Sequence, residues 1–412
     1  MDGADPRSRH HRAMSSNPRI TAIRTHLMQA GPLGVSGWAA DVKNSITSGT
    51  RNWLFVTVET DAGITGLGEG SGWPRVVETA VNDIAHVLIG QDAFAIERLT
   101  QRMGVAMMGH GMSGVVGQGA IAAVDMALWD LKGKALGVPV WQLLGGATRE
   151  RIRCYTHAST PEQAKAALAK GYTAIKTGGV ANPVAKARAI RDAIGPDVDL
   201  MIDLHGPPWL NLPDAVVICD ALAELRPLFV EEPLAPENIE GYRALRRATK
   251  VPLAGGERHG GFHGCAPLLL ENLVDVIQPD SGRSGGLTGL RKIATLAEAR
   301  FATVAPHSGS LGPVAEFAAI HLLAAIPNAL VLERMDPDWP GRGATIGGGQ
   351  PEMRDGHVTL PSAPGFGVAI DEAFVAASPS IRNAGLPSGG WPAGTESATL
   401  YTQPRTPRSG LT

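Results

Sequence analysis

From Arg151 onward the chain repeats one pattern. Short apolar runs (RIRCYTH, TAIKTGG, DLMIDLHG, LFVEEPL, VPLAGGE, DVIQPDS, ATVAPHS and NALVLER) alternate with stretches of helical spacing such as PEQAKAALAKG and LTGLRKIATLAEAR. Continuous apolar strands separated by amphipathic helices mean parallel strands covered by helices. Eight such strands are the number that closes a barrel. A doubly wound open sheet would carry a Gly-rich phosphate loop after its first strand, and RIRCYTHAST has none.

The polar residues fall where a barrel would use them. Lys176, Asp203, His205, Glu231, Glu257, Asp280, His307 and Glu333 all stand at or just past the C-terminal end of a run, which in a barrel is the catalytic face. Asp203, Glu231 and Glu257 end consecutive runs spaced by roughly 25 residues, the period of a strand and its returning helix. On neighbouring strands their carboxylates converge, and three buried like charges require a cation. Oxygen ligands alone suit a hard divalent ion, most simply Mg2+. The competing reading makes them salt-bridge partners at a barrel rim. Glu232 alternates with Glu231, faces the other way, and falls outside the ligand set.

Around this trio the sequence offers further chemistry. His307 reads as a base, and Asp280 on the preceding run as the acceptor that fixes its tautomer and raises its pKa. Asp280 otherwise caps the Ser281-Gly282 turn. Lys176 reads either as a positive charge for a substrate carboxylate or as a partner of a ligand carboxylate. Arg258, Arg283 and Trp209 are candidate substrate contacts, while His259 and His263, flanked by glycine, read as loop or substrate-contact residues rather than metal ligands.

The first 150 residues have a different texture. RNWLFVTVET is strand-like, Asp61-Ala62-Gly63 marks a hairpin, residues 75–103 have helical periodicity, and a long Ala-rich helix within 117–146 ends near Gly137. The polar stretch 31–50 reads as a loop over the site, with Trp38, Lys43 and His110 as selectors of substrate. These features divide the chain into a loose tail (1–18), an α+β capping domain (19–149), a barrel (150–334), a segment that returns to the cap (335–377) and a second loose tail (378–412).

Composition narrows the class. A net charge of −2 and 5% aromatic content argue against a nucleic-acid partner. No apolar run approaches the roughly 18 residues of a membrane span. Cys154, Cys219 and Cys265 lack CxxC spacing, so they read as reduced thiols of a cytoplasmic protein.

Taken together, DLH, EEP, GGER, VIQPDS, VAPHSG and LER, in that order, resemble the enolase superfamily, in the mandelate racemase-like branch of acid-sugar dehydratases and racemases. The resemblance spans about Pro18 to Val375. It implies a modified (β/α)7β TIM-type barrel with an α+β capping domain, Mg2+ held by Asp203, Glu231 and Glu257, a catalytic His307–Asp280 pair, Glu333 after the last strand, and a homo-oligomer. Racemases of the branch resemble one another in a KxK motif, whereas IKTGG keeps Lys176 and has Gly178 at the second position. The DxH pattern of Asp203 and His205 is similar to the galactonate dehydratase type, in which the histidine protonates the leaving hydroxyl. The implied reaction removes the C2 proton of an acid sugar and eliminates the 3-hydroxyl to give a 2-keto-3-deoxy acid. Glu333, if kept protonated, would donate a hydrogen bond to the enediolate. Racemisation, epimerisation or cycloisomerisation is the alternative on the same scaffold.

Overall fold

A computed structural model describes residues 17–29, 52–111, 114–206, 209–309 and 311–380. The expected loop at 31–50, with Trp38 and Lys43, and nearly all of both tails lie outside the described residues. The backbone of His110 belongs to the short turn Met108–His110.

The first part is a three-stranded antiparallel sheet, β1 (Ile20–Gln29), β2 (Asn52–Thr60) and β3 (Thr65–Gly70), packed on helices. The helical stretch 75–103 is two helices, α1 (Pro74–Ile84) and α2 (Ile96–Ala106), because the turn through Gly90 breaks it. Next come α3 (Val115–Leu136), which ends on the left-handed Gly137, and the short α4 (Val140–Leu143). Helix α3 is apolar almost all round and is the hub of this half. The sheet lies directly on it because β3 reads TGLGEG: a Cβ at Gly66 would sit 1.9 Å from the Ala127 carbonyl, and one at Gly68 2.0 Å from that of Ala123. Only glycine allows this backbone contact.

The parallel strands are β4 (Arg151–His157), β5 (Ala174–Gly178), β6 (Asp199–Asp203), β7 (Phe229–Glu231), β8 (Leu253–Gly255), β9 (Val276–Ile277), β10 (Thr303–Val304) and β11 (Leu332–Glu333). All eight apolar runs form strands. Between them lie α5 (Pro161–Ala169), α6 (Pro183–Ile194), α7 (Leu212–Ala223), α8 (Ile239–Ala248), α9 (Gly261–Leu270), α10 (Gly286–Ala299) and α11 (Pro313–Ala325). Strands β4 to β10 neighbour one another in chain order, without the reversal of a doubly wound sheet. Strand β11 pairs parallel with β4, and Val304 bridges Ala329 just before β11. A core of Tyr155, Ala174, Met201, Phe229, Ala254, Val276, Ala305 and Val331 draws a side chain from each of the eight strands or its immediate flank.

The remaining elements are α12 (Trp339–Thr345), β12 (Met353–Arg354), β13 (His357–Thr359) and α13 (Glu372–Ala377). The sequence sends all of 335–377 back to the first domain, but β13 pairs antiparallel with β4. Beyond it, Phe366 N donates to Asp130 of α3 at 2.7 Å and Gln29 N donates to Ser378 O at 2.9 Å. Pro18 O likewise accepts from Ala93 N, Asn17 Nδ2 donates to Asp92, and Pro379 bridges Met28, so contacts reach two residues into each expected tail.

His321 of α11 ties these parts together. Trp141 N donates to its Nδ1 at 3.0 Å, and its Nε2 bonds to Phe366 O at 3.1 Å. Burial pushes its pKa down to about 4, so the native ring is neutral. The unfolded chain therefore binds the extra proton between the ordinary 6.5 and about 4, and stability falls as pH drops through that window. Replacing His321 by Gln, which can make both bonds, should remove roughly 3 kcal/mol of this acid destabilisation. Urea midpoints of wild type and variant from pH 7 to pH 4 measure it, and parallel curves would contradict it. The comparison cancels Glu69 and Asp125, which burial pushes up to about 7 and which act with the opposite sign in both proteins.

Candidate active site

The parallel register brings the strand-end residues into one cluster. Gly178 aligns with Asp203, Asp203 with Glu231, His157 with Lys176, and Asp280 bridges His307. Asp203, Glu231, Glu257, Asp280 and Glu333 are all buried, as is Lys176. The expected site residues are therefore neighbours.

Their partners define the electrostatics. Lys176 Nζ lies 2.8 Å from Glu231 Oε2, 2.9 Å from Glu333 Oε1 and 3.7 Å from Asp203 Oδ2. Burial works to discharge this lysine, but Glu231 and Glu333 hold its pKa well above the usual range. His307 donates through Nδ1 to Asp280 Oδ2 at 2.8 Å, and its Nε2 is 2.6 Å from Glu257 Oε2. Burial would lower its pKa, yet Glu257 and Glu333 raise it well above that of a free imidazole. Asp280 also accepts from Gly282 N at 2.9 Å, so it orients the histidine and closes the following turn. His205 Nδ1 is 2.7 Å from Asp203 Oδ1; despite burial, the Asp203 charge raises His205 to about 9, and His205 and Lys176 bring Asp203 down to about 2.

Glu333 is held by three partners. It accepts from His157 Nε2 at 2.7 Å and Ser308 N at 2.6 Å and faces Lys176. Burial favours protonation, but Lys176 and His307 hold its pKa well below the usual carboxylate range. Both of its oxygens accept in this arrangement, with Lys176 beside them. His157 itself was missed, although it ends the first run as the other residues end theirs. Glu232 pairs with Arg258, whose guanidinium also reaches Glu257 and lies 5.5 Å from the Trp209 ring centroid. Arg283 donates to Glu257 O at 3.2 Å and to Ser71 Oγ at 3.3 Å. His263 is exposed on α9, and burial lowers the pKa of His259.

Whether the trio suits a divalent ion can be read from its chemistry. Among the described residues no three His, Cys, Asp or Glu side chains already surround one point as metal ligands, since each carboxylate is turned to a cation of the chain. The donor set nonetheless fits: three carboxylates end adjacent strands, and Glu231 Oε1 is buried without a hydrogen-bond partner. Burial and the charge of Asp203 push Glu231 up to about 7 in spite of Lys176. The cluster is short of positive charge at that residue.

Comparison with known proteins follows this geometry. Residues 159–374 match the model described as enolase C-terminal domain-like, and residues 38–145 match the N-terminal domain of mandelate racemase / muconate lactonizing enzyme. A D-galactonate dehydratase of Ralstonia pickettii (strain 12J) is 37% identical over 348 residues, 78% of this chain and 90% of that protein. One of Variovorax paradoxus (strain S110) is 37% identical over 345 residues, 78% of this chain and 89% of the relative. Among solved structures, the 3,6-anhydro-D-galactonate cycloisomerase of Zobellia galactanivorans has a TM-score of 0.77 at 31% identity, covering 88% of this chain and 100% of the other. A mandelate racemase/muconate lactonizing enzyme-like protein of Roseovarius sp. TM1035 has a TM-score of 0.79 at 29% identity, covering 90% and 98%.

The ion pairs of Lys176 generate a stability prediction. Replacing Lys176 by Met leaves Glu231 and Glu333 buried without their cation and should cost about 3–5 kcal/mol of unfolding free energy. Urea titration without divalent ions measures the loss. A variant as stable as wild type would show that Lys176 does not neutralise the cluster.

Proposed function

Because the chain belongs to the enolase superfamily, in its mandelate racemase and muconate lactonizing enzyme branch, we propose that it is a Mg2+-dependent acid-sugar dehydratase. The site would stand at the mouth of a closed (β/α)7β barrel, a reading supported by the β11–β4 pairing and the Val304–Ala329 bridge. One observation carries the choice of reaction. Two imidazoles flank the carboxylate cluster four strands apart, each bonded to its own aspartate, and residue 178 is glycine.

Asp203, Glu231 and Glu257 are the residues that would hold the ion. Bound there, Mg2+ would offset their charge and stabilise the negative oxygens that develop when a proton leaves the carbon next to a carboxylate. The chain supplies the proton transfers. Asp280 keeps a proton on His307 Nδ1, so that with Glu257 turned to the ion instead of to His307, Nε2 would be the basic nitrogen for the C2 proton. His205, held protonated by Asp203, gives its proton to the departing 3-hydroxyl. The C–O bond breaks as the C2–C3 double bond forms, and the resulting enol tautomerises to a 2-keto-3-deoxy acid. Lys176 contributes fixed positive charge beside Glu231 and Glu333, and Glu333 holds Ser308, the residue after the base.

D-galactonate is the first substrate to test, since it names the relatives. Likeness to a cycloisomerase keeps ring rearrangement as the second reading, and product analysis separates the two. A cytoplasmic setting is supported by three buried free thiols and by the absence, among the described residues, of a helix long and apolar enough to cross a membrane. A homo-oligomer is part of the same proposal, carried over from the family resemblance.

A panel of acid sugars assayed for 2-keto-3-deoxy product should show turnover that EDTA removes and Mg2+ restores; activity indifferent to EDTA would sink the metal assignment. His307→Asn should abolish exchange of the C2 proton with deuterated solvent. His205→Asn should lower dehydration by about 100-fold or more while C2 exchange persists, and a His205→Asn enzyme that still dehydrates at the wild-type rate would end its role as the acid.

A further inference from the structure

The end of β3 lies between the two loops that carry the His307–Asp280 pair. Glu69 is buried, and its carboxylate accepts the Gly312 N–H and, at 3.0 Å, the Ala315 N–H. A side chain of the capping sheet thus closes the first turn of α11, the helix that follows His307. Such N–H groups have no partner within the helix, and a carboxylate is the strongest acceptor for them. Two residues on, Ser71 N donates to Gly282 O at 2.9 Å, and Gly282 N donates to Asp280.

The other side of the His307 loop is braced by α12. Arg342, fully buried, donates through Nη2 to Ser308 O at 3.0 Å and Leu311 O at 2.8 Å, and through Nη1 to Glu316 at 2.5 Å. Gly309 lies against the imidazole: a Cβ there would stand 2.8 Å from His307 Nε2. The backbone at Gly309 therefore walls off one side of the ring.

We propose that Glu69 is a positioning residue for the base: by docking β3 onto the N-terminus of α11 it fixes the wall behind His307 and the angle of His307 to Asp280. The proposal rests on the reading of His307 as the base. Glu69 itself touches no reacting atom. Replacing it by glutamine keeps the volume but turns one acceptor oxygen into a donor that faces a backbone N–H.

The test compares wild type, Glu69→Gln, Glu69→Asp and His307→Asn by steady-state kinetics and by amide hydrogen exchange of the peptide spanning residues 308–316. Glu69→Gln should lower kcat about 10–100-fold, the cost of a misplaced catalytic group, with KM within about threefold. Exchange at Gly312 and Ala315 should quicken while that of α3 stays as in wild type. Glu69→Asp, which keeps both acceptor oxygens, should recover part of kcat. Wild-type kcat and exchange in Glu69→Gln overturn the proposal, and so does a loss of kcat accompanied by faster exchange throughout β3 and α3. If Glu69→Gln does not fold, Glu69→Asp decides by the same two readouts. A wild-type protein that turns over no acid sugar, or a His307→Asn enzyme at full rate, defeats the functional reading instead; the exchange at Gly312 and Ala315 then still decides whether Glu69 holds the loop.

Discussion

Six carboxylates, those of Asp203, Glu231, Glu232, Glu257, Asp280 and Glu333, are buried at one end of the parallel strands. Two such charges 4 Å apart repel by about 4 kcal/mol at the effective dielectric of a protein site. The arrangement survives because each is matched. Lys176 sits among three of them, Arg258 serves Glu232 and Glu257, and His307 takes Asp280, while His157 and His205 add a second partner to Glu333 and Asp203. Removing one partner leaves its counterpart buried and uncompensated, so these residues act as a unit. Burial pushes Glu231 up to about 7 and Glu232 up to about 8, and each has one buried oxygen without a hydrogen-bond partner.

The same charge pattern accounts for what surrounds it. Glu316 receives both Arg334 and Arg342 below the site, and Arg334 lies 4.4 Å from the Trp339 ring centroid. This buried trio performs no proton transfer. It anchors α12 against the first turn of α11, opposite Glu69. Segments from early and late in the chain therefore grip the same loop, which accounts for a second domain assembled from both sides of the parallel strands.

On the proposed reading, Gly178 is the position that separates elimination from racemisation. A Cβ there would come within 3.1 Å of the Asp203 carbonyl and 3.2 Å of the Asp203 Cβ. A lysine at that position would crowd the strand that carries Asp203 and His205 unless β5 and β6 moved apart. On the proposed dehydratase reading, His205, held by Asp203, is the group that takes the place of that second amine.

Much of this was legible beforehand. Periodicity located the eight parallel strands and the helices between them, because a strand buried on both faces has no polar alternation to hide it. The position of Asp203, Glu231, Glu257, Asp280 and His307 at the ends of those runs was enough to place them together, since parallel strands share a direction. What resisted reading depends on distance in three dimensions. Glu69 meets Gly312 across 243 residues, β13 leaves its expected place to pair with β4, and Glu333 lies between Lys176 and His157. Residue types and their spacing determined which groups stand at the strand ends and so which chemistry is available. Tertiary structure alone decided which of them face one another and which backbone packs against His307, because a hydrogen bond is set by neighbours in space, and those neighbours come from every part of the chain.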